Sequence, residues 1–103
     1  MIFIPFSAVQ IEHTATSDTK FQLSTAPMWF SDVNIHVLTH DARYGDTNIT
    51  SGNPSITAGN GLSYRDINIQ DLFFLNSSAG DNTKIIAIGA IMTEARKKEL
   101  GVF

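Results

Sequence analysis

Three histidines and ten acids are the groups in this chain best suited to hold a metal ion or move a proton near neutral pH; there is no cysteine. His36 and His40 bracket one strand end, with Asp41 directly after. A metal site needs two or three such groups within about 2 Å of one ion. Residues four apart on a strand share a face, but at about 3.3 Å per residue their Cα atoms lie roughly 13 Å apart, too far to chelate together. His13 stands alone. Asp41, Asp46 and Asp81 fall in separate turns without calcium-loop spacing. No serine sits in a Gly-x-Ser-x-Gly elbow. The run GNG at 59–61 lacks the third glycine of a dinucleotide fingerprint and opens a strand, not a helix. No two carboxylates are marked as an acid/base couple. The sequence therefore predicts no catalytic, cofactor or metal site, and no enzyme. Sequons at Asn48 and Asn76 come without a secretory signal and read as coincidence.

The aromatic residues offer a different chemistry. Trp29, Phe30, Tyr44 and Tyr64 could stack on sugar faces, and Trp and Tyr add a polar handle. Trp29 and Phe30 point opposite ways if extended, so one is core and the other lies at a surface or interface. Packing or assembly is the preferred reading over a ligand platform. Charge narrows the partners further. The formal net charge is −3 and charged residues are 17% of the chain. The one basic run, Arg96–Lys98, sits between Glu94 and Glu99 and reads as a solvated helix face. Binding to nucleic acid through phosphates is not expected. The longest apolar run, Ile85–Met92, is far short of the roughly 20 residues of a membrane helix. The opening MIFIPFSAVQ has no Lys or Arg and is interrupted by Pro5, a poor signal peptide. We expect a chain made and used in solution, away from membranes.

The elements that would carry these residues repeat with period two. Val9 and Ile11 alternate with Gln10 and Glu12; Phe21 and Leu23 with Gln22 and Ser24; Val33, Ile35 and Val37 with Asn34 and His36; Ile67 and Ile69 with Asn68 and Gln70. Such alternation marks strands with one wet face. Turn-forming clusters separate them at 15–19, 40–46, 50–55, 57–61 and 76–82. At 103 residues and 43% hydrophobic, the chain has enough for one core. The expectation is all-β: a single antiparallel β-sandwich or jelly-roll-like barrel over 1–103. Residues 1–6 read as an N-terminal arm and 93–103 as a C-terminal tail.

Three local details sharpen this. Asp71 breaks alternation, which predicts a bulge or tight turn that re-aims Phe73 and Phe74. In the run from Ile85, Ile86, Ile88 and Met92 are expected on one face, and Ile85, Ala87 and Ile91 on the other. A strand apolar on both faces is central and covered twice, or ends at an interface. TEARKKELG reads as a two-turn helix, with Thr93 as cap, a Glu94–Lys98 pair and Gly101 as stop.

The segment order then takes on a pattern. TATSDTKFQLST opens; APMWFSDVNIHVLTHDARYGDTNIT follows with a strand, a loop carrying Asp41, and Tyr44-Gly45; GNPSITAGNGLSYRDINIQDLFFLNSSAGDNTKIIAIG completes it. Within the last segment lie a G-x-x-L entry (Gly59 to Leu62), a strand ending I-Q-D-L (Ile69 to Leu72), and an S-x-G-D turn (Ser78 to Asp81). Over roughly residues 12–91 this resembles the small jelly-roll-like β-sandwich proteins of tailed bacteriophage virions. The resemblance implies a structural protein of the virion, assembled in the host cytoplasm: a capsid decoration or cement protein that stabilises the shell as a homo-oligomer, a trimer being favoured. Its implied partners are the major capsid protein or other virion proteins. A tail, neck or baseplate position is the alternative, and a carbohydrate-binding module using Trp29, Tyr44 or Tyr64 is the alternative of another class. The expected partner contacts are the apolar residues near the chain ends, Ile2, Phe3, Ile4, Phe6, Leu100, Val102 and Phe103, together with Trp29.

Overall fold

Described here is a computed structural model, covering residues 8–102. The proposed arm and Phe103 lie outside that range. Eight strands follow in chain order: β1 (Ala8–Thr14), β2 (Phe21–Gln22), β3 (Trp29–Leu38), β4 (Ala42–Gly45), β5 (Ser55–Ile56), β6 (Gly61–Asn68), β7 (Phe73–Asn76) and β8 (Lys84–Ile91). A 3-10 turn (Ile69–Asp71) joins β6 to β7, and one helix, α1 (Glu94–Leu100), closes the chain.

The strands form two antiparallel four-stranded sheets, ordered β1-β8-β3-β6 and β2-β7-β4-β5. The pairs β4/β5, β3/β6, β2/β7 and β1/β8 are the successive rungs of one long hairpin whose tip lies between β4 and β5. Rolling that hairpin brings β3 against β8 and β4 against β7, which closes the two sheets. This is the strand order of a jelly roll. The expected sandwich is therefore the observed fold.

The alternating residues do what their period requires. On β3 Val33, Ile35 and Val37 are buried, and Asp32, Asn34 and His36 face out. Phe30 is also buried, although it stands on the opposite parity. One extra residue, Ser31, reconciles the two: the register against β8 shifts between Phe30 and Asp32. Phe30, Val33, Ile35, Val37, Ile69, Phe74 and Ile85 are the large apolar side chains fully withdrawn from water among the described residues. Each contributes about 1.5–3 kcal/mol by burial.

Asp71 does end a tight turn. Asn68 Oδ1 caps it by accepting from Gln70 N–H at 3.2 Å, and the chain emerges with Phe74 buried and Phe73 on the outer side of the second sheet. Lys20 Nζ stands over the Phe73 ring at 5.5 Å.

Some sequence expectations are corrected. The segment 40–46, read as a turn, contains β4; Ala42 is fully buried there, and β4 sits between β7 and β5. Four residues are too few for alternation to stand out from the glycine and aspartates around them. Leu23 lies beyond β2, which spans only Phe21–Gln22. Met92 does not share the outer face with Ile86 and Ile88: the strand ends at Ile91, the Met92 N–H donates to the Trp29 carbonyl at 2.9 Å, and its side chain is buried. Helix α1 has the predicted caps, Thr93 Oγ1 accepting from Arg96 N–H at 3.2 Å and Gly101 in the left-handed region. Glu94 pairs with Lys97 at 3.3 Å, three residues on, and not with Lys98.

Candidate functional site

The ionisable groups are distributed over both ends of the sandwich, and most are already engaged. At one end Asp66 adopts φ +52°, opposite the bulged Ser31. That backbone throws its carboxylate toward α1. Arg96 meets it in a fork, Nε to Oδ1 at 3.2 Å and Nη2 to Oδ2 at 2.7 Å, while Nη1 donates to Glu99 at 2.9 Å. The Arg96 guanidinium holds Asp66 below the usual carboxylate range, and Asp66 in turn, then Glu99, raise Arg96 above its ordinary value. Arg65 and Asp32 pair alongside at 3.0 Å, with both side chains mostly in solvent. These groups line a hollow of about 220 Å³. Its charges are matched in pairs, so its evident work is mechanical: it clamps α1 to β6.

At the opposite end the acids serve as loop caps. Asp18 accepts from the Gly80 N–H at 2.9 Å and from the Asn76 amide at 3.2 Å, which hold its carboxyl below the usual range. Asp41 Oδ1 accepts from Ala58 N–H here, and Asp46 Oδ1, past the other end of β4, from Asn48 N–H, each at 2.8 Å. His40 approaches Asp81 at 3.9 Å, His36 projects from the outer face of β3, and the His13 ring stacks on Phe21 at 4.7 Å. Among the described residues no three His, Asp or Glu side chains converge as a metal site would require. Asn76, of the second sequon, is buried at the end of β7.

The aromatic candidates separate. Tyr44 and Tyr64 are half-buried against the core from opposite sheets, and burial, then the neighbouring Tyr44, push Tyr64 upward. They pack and do not form an open platform. Trp29 is half-buried and borders a hollow of about 370 Å³ with Asn68, Glu94, Lys97 and Val102. Two expected contact residues, Trp29 and Val102, are thus brought together; Val102 is tied down by its N–H on the Lys97 carbonyl at 2.9 Å. Leu100 projects into solvent, 40% exposed. Ile2, Phe3, Ile4, Phe6 and Phe103 lie outside the described residues.

The most prominent unpaired feature is apolar. β8 is a central strand, between β1 and β3. Its inner residues Ile85 and Ala87 are buried, but the other face is open, with Ile86 half-buried and Ile88 45% exposed. Ile88 stands between Gln10 and Asn34, one row from Ala8, Ala90 and Asp32. A groove of about 400 Å³ runs there, lined by Ala8, Asp32, Asn34, Ile88 and Ala90. The apolar run in the sequence pointed to this strand; it did not say which face the sandwich would leave open. Compared with known proteins, the chain matches no protein family, no curated protein and no solved structure.

Proposed function

We propose that this protein is a structural assembly module, and specifically a virion component of the capsid-decoration kind, acting through contacts between copies and with a shell protein. The observation that carries the reading is Ile88: a large apolar residue in the middle of a sheet, 45% exposed, over a groove. A sandwich face in water ordinarily puts polar residues at such positions, as Gln10, Asn34 and Ser63 do in the same row. Apolar surface of this kind marks an interaction site. The eight-stranded jelly roll supports the virion version by architecture, since it recurs in viral capsid domains. Fold alone does not assign function, so the weight rests on the exposed stripe.

Two measurements test it. Light scattering on the purified chain should give an oligomer mass, and the chain should co-sediment with viral shells. A strict monomer that ignores particles would reject the proposal. Copy number separates shell from tail: hundreds per particle for decoration, about a dozen or fewer for a neck or baseplate ring. A second reading has one observation in its favour. Trp29 borders a hollow with Asn68, Glu94 and Lys97, a stacking face beside polar groups, and jelly rolls also occur in lectins. A glycan array with wild type and Trp29→Ala decides it: retained particle binding with no glycan signal removes the lectin reading.

A further inference from the structure

We propose that the protein binds one calcium ion at the end of the sandwich where the β1–β2 and β7–β8 connections meet, held by Asn76 Oδ1, the Asp18 carboxylate and the carbonyls of Ser17 and Asp81. The site is separate from the apolar face of β8 and stands or falls independently of the assembly reading.

An amide mismatched at both ends points there. Asn76 is the last residue of β7 and is 7% exposed. Its Nδ2 has two hydrogens to donate but faces three oxygens: the Asp81 carbonyl at 2.5 Å, Asp18 Oδ1 at 3.2 Å and the Ser17 carbonyl at 3.4 Å. Its Oδ1, equally buried, accepts from no donor, which is costly for a group withdrawn from water. A half-turn of the amide exchanges the two atoms in nearly the same volume. The turn gives up no hydrogen bond where Oδ1 now sits, and it gathers four oxygens in one place. Four oxygens alone repel; a cation among them makes the turned amide the favoured one. The spacing suits calcium. Ligands at right angles, about 2.4 Å from the ion, lie about 3.4 Å from one another, against about 2.9 Å around magnesium. The Asp18 and Ser17 oxygens stand 3.2 and 3.4 Å from the amide atom they face, and the Asp81 carbonyl needs to open by less than about 1 Å. Calcium takes carbonyl and amide oxygens as well as carboxylates, so this donor set needs no convergence of three acids. Ser17 and Asp18 are exposed, which leaves the solvent side open for waters to complete the shell. The Gly80 N–H, on Asp18 Oδ1 at 2.9 Å, orients the carboxylate.

Calcium titration of the chelator-treated full chain tests this. A single acidic ligand predicts weak binding, with a Kd of about 10⁻⁴–10⁻³ M. Calorimetry should show one ion per chain, and about 10 mM calcium should raise the melting temperature by roughly 5 °C or more. Magnesium at the same concentration should raise it far less. Asp18→Asn keeps an oxygen for the Gly80 N–H but removes the charge, and should weaken calcium binding about tenfold or more. Because Asp18 also caps a loop, a nuclear magnetic resonance titration of wild type gives a reading that needs no variant: the Asn76 side-chain amide signals should move with calcium. A wild-type melting temperature that rises by less than about 1 °C overturns the proposal. So does an equal response to magnesium, or an undiminished calcium response in Asp18→Asn, which would put the ion elsewhere. Asn76 amide signals that stay in place overturn it whatever the variant does.

Discussion

Gly89 stands opposite Val33 in the β3/β8 ladder, one pair beyond the register shift, and Gly89→Ala is the most telling perturbation of this fold. The Asp32 carbonyl of β3 faces this position. A Cβ on residue 89 would overlap that oxygen and sit 2.9 Å from Val33 Cα and 3.0 Å from Phe30 Cδ1. Ordinary non-bonded carbon contacts lie at about 3.5–4.0 Å. Two of the three obstructions are backbone, so no rotamer change relieves them; the central ladder must open by roughly 1 Å or Phe30 must leave its place. Overpacking of this kind costs about 1–3 kcal/mol, and the rigidity of the neighbours puts this case at the upper end, ~3 kcal/mol. Domains of this size have only about 5–15 kcal/mol in total. At about 4–8 °C per kcal/mol, the melting temperature should fall by roughly 12–24 °C. Thermal melting followed by circular dichroism reads it, with urea unfolding as a second probe. Gly52→Ala is the control, because its nearest neighbour is Thr50 Oγ1 at 3.5 Å; it should stay within about 0.5 kcal/mol of wild type. A Gly89→Ala protein melting within about 2 °C of wild type would refute the close-approach argument.

Phe30→Ala should cost about 3–5 kcal/mol, because the ring is fully buried on the bulged strand; urea midpoints measure it, and a loss below about 1 kcal/mol would mean the core can collapse around the void. Thr93→Ala removes the cap that accepts from Arg96 N–H and should lower stability by about 1 kcal/mol, seen first as faster amide exchange across α1. The Asp66–Arg96 clamp gives a pH dependence. Asp66 is held below its unfolded value, so its contribution is present above about pH 4 and disappears as pH falls through the folded pKa. Protection of the α1 amides, taken relative to the intrinsic exchange rate at each pH, should therefore fall on acidification below about pH 4 in wild type, and Arg96→Met should show the lower protection already at neutral pH. Equal protection in wild type and Arg96→Met at pH 7 would show that the clamp does not hold the helix.

Much of the fold is legible in one dimension because alternation reports on one neighbour layer. β1, β3, β6 and the caps of α1 follow from residue types at fixed spacing. The bulge was legible too, in retrospect: Phe30 and Val33 are three apart yet both apolar on a strand of period two, and Gly89 interrupts the facing apolar run. Reading them together needs the knowledge that β3 and β8 are partners. β4 escaped because four residues flanked by turn-formers carry too little pattern. The Asp66–Arg96 pair escaped because its members are 30 residues apart and meet only through a left-handed backbone at Asp66.

Composition and local spacing thus decide that this chain makes strands, where most of the turns between them fall, and that one strand is apolar on both faces. They cannot decide which of its side chains stay outside. Ile86, Ile88, Ile85 and Ala87 are equally apolar on paper; folding sends one pair inward and leaves the other facing out, because β8 has a second sheet on one side only. Burial is a property of what stands opposite a residue, and that is set when the hairpin rolls up.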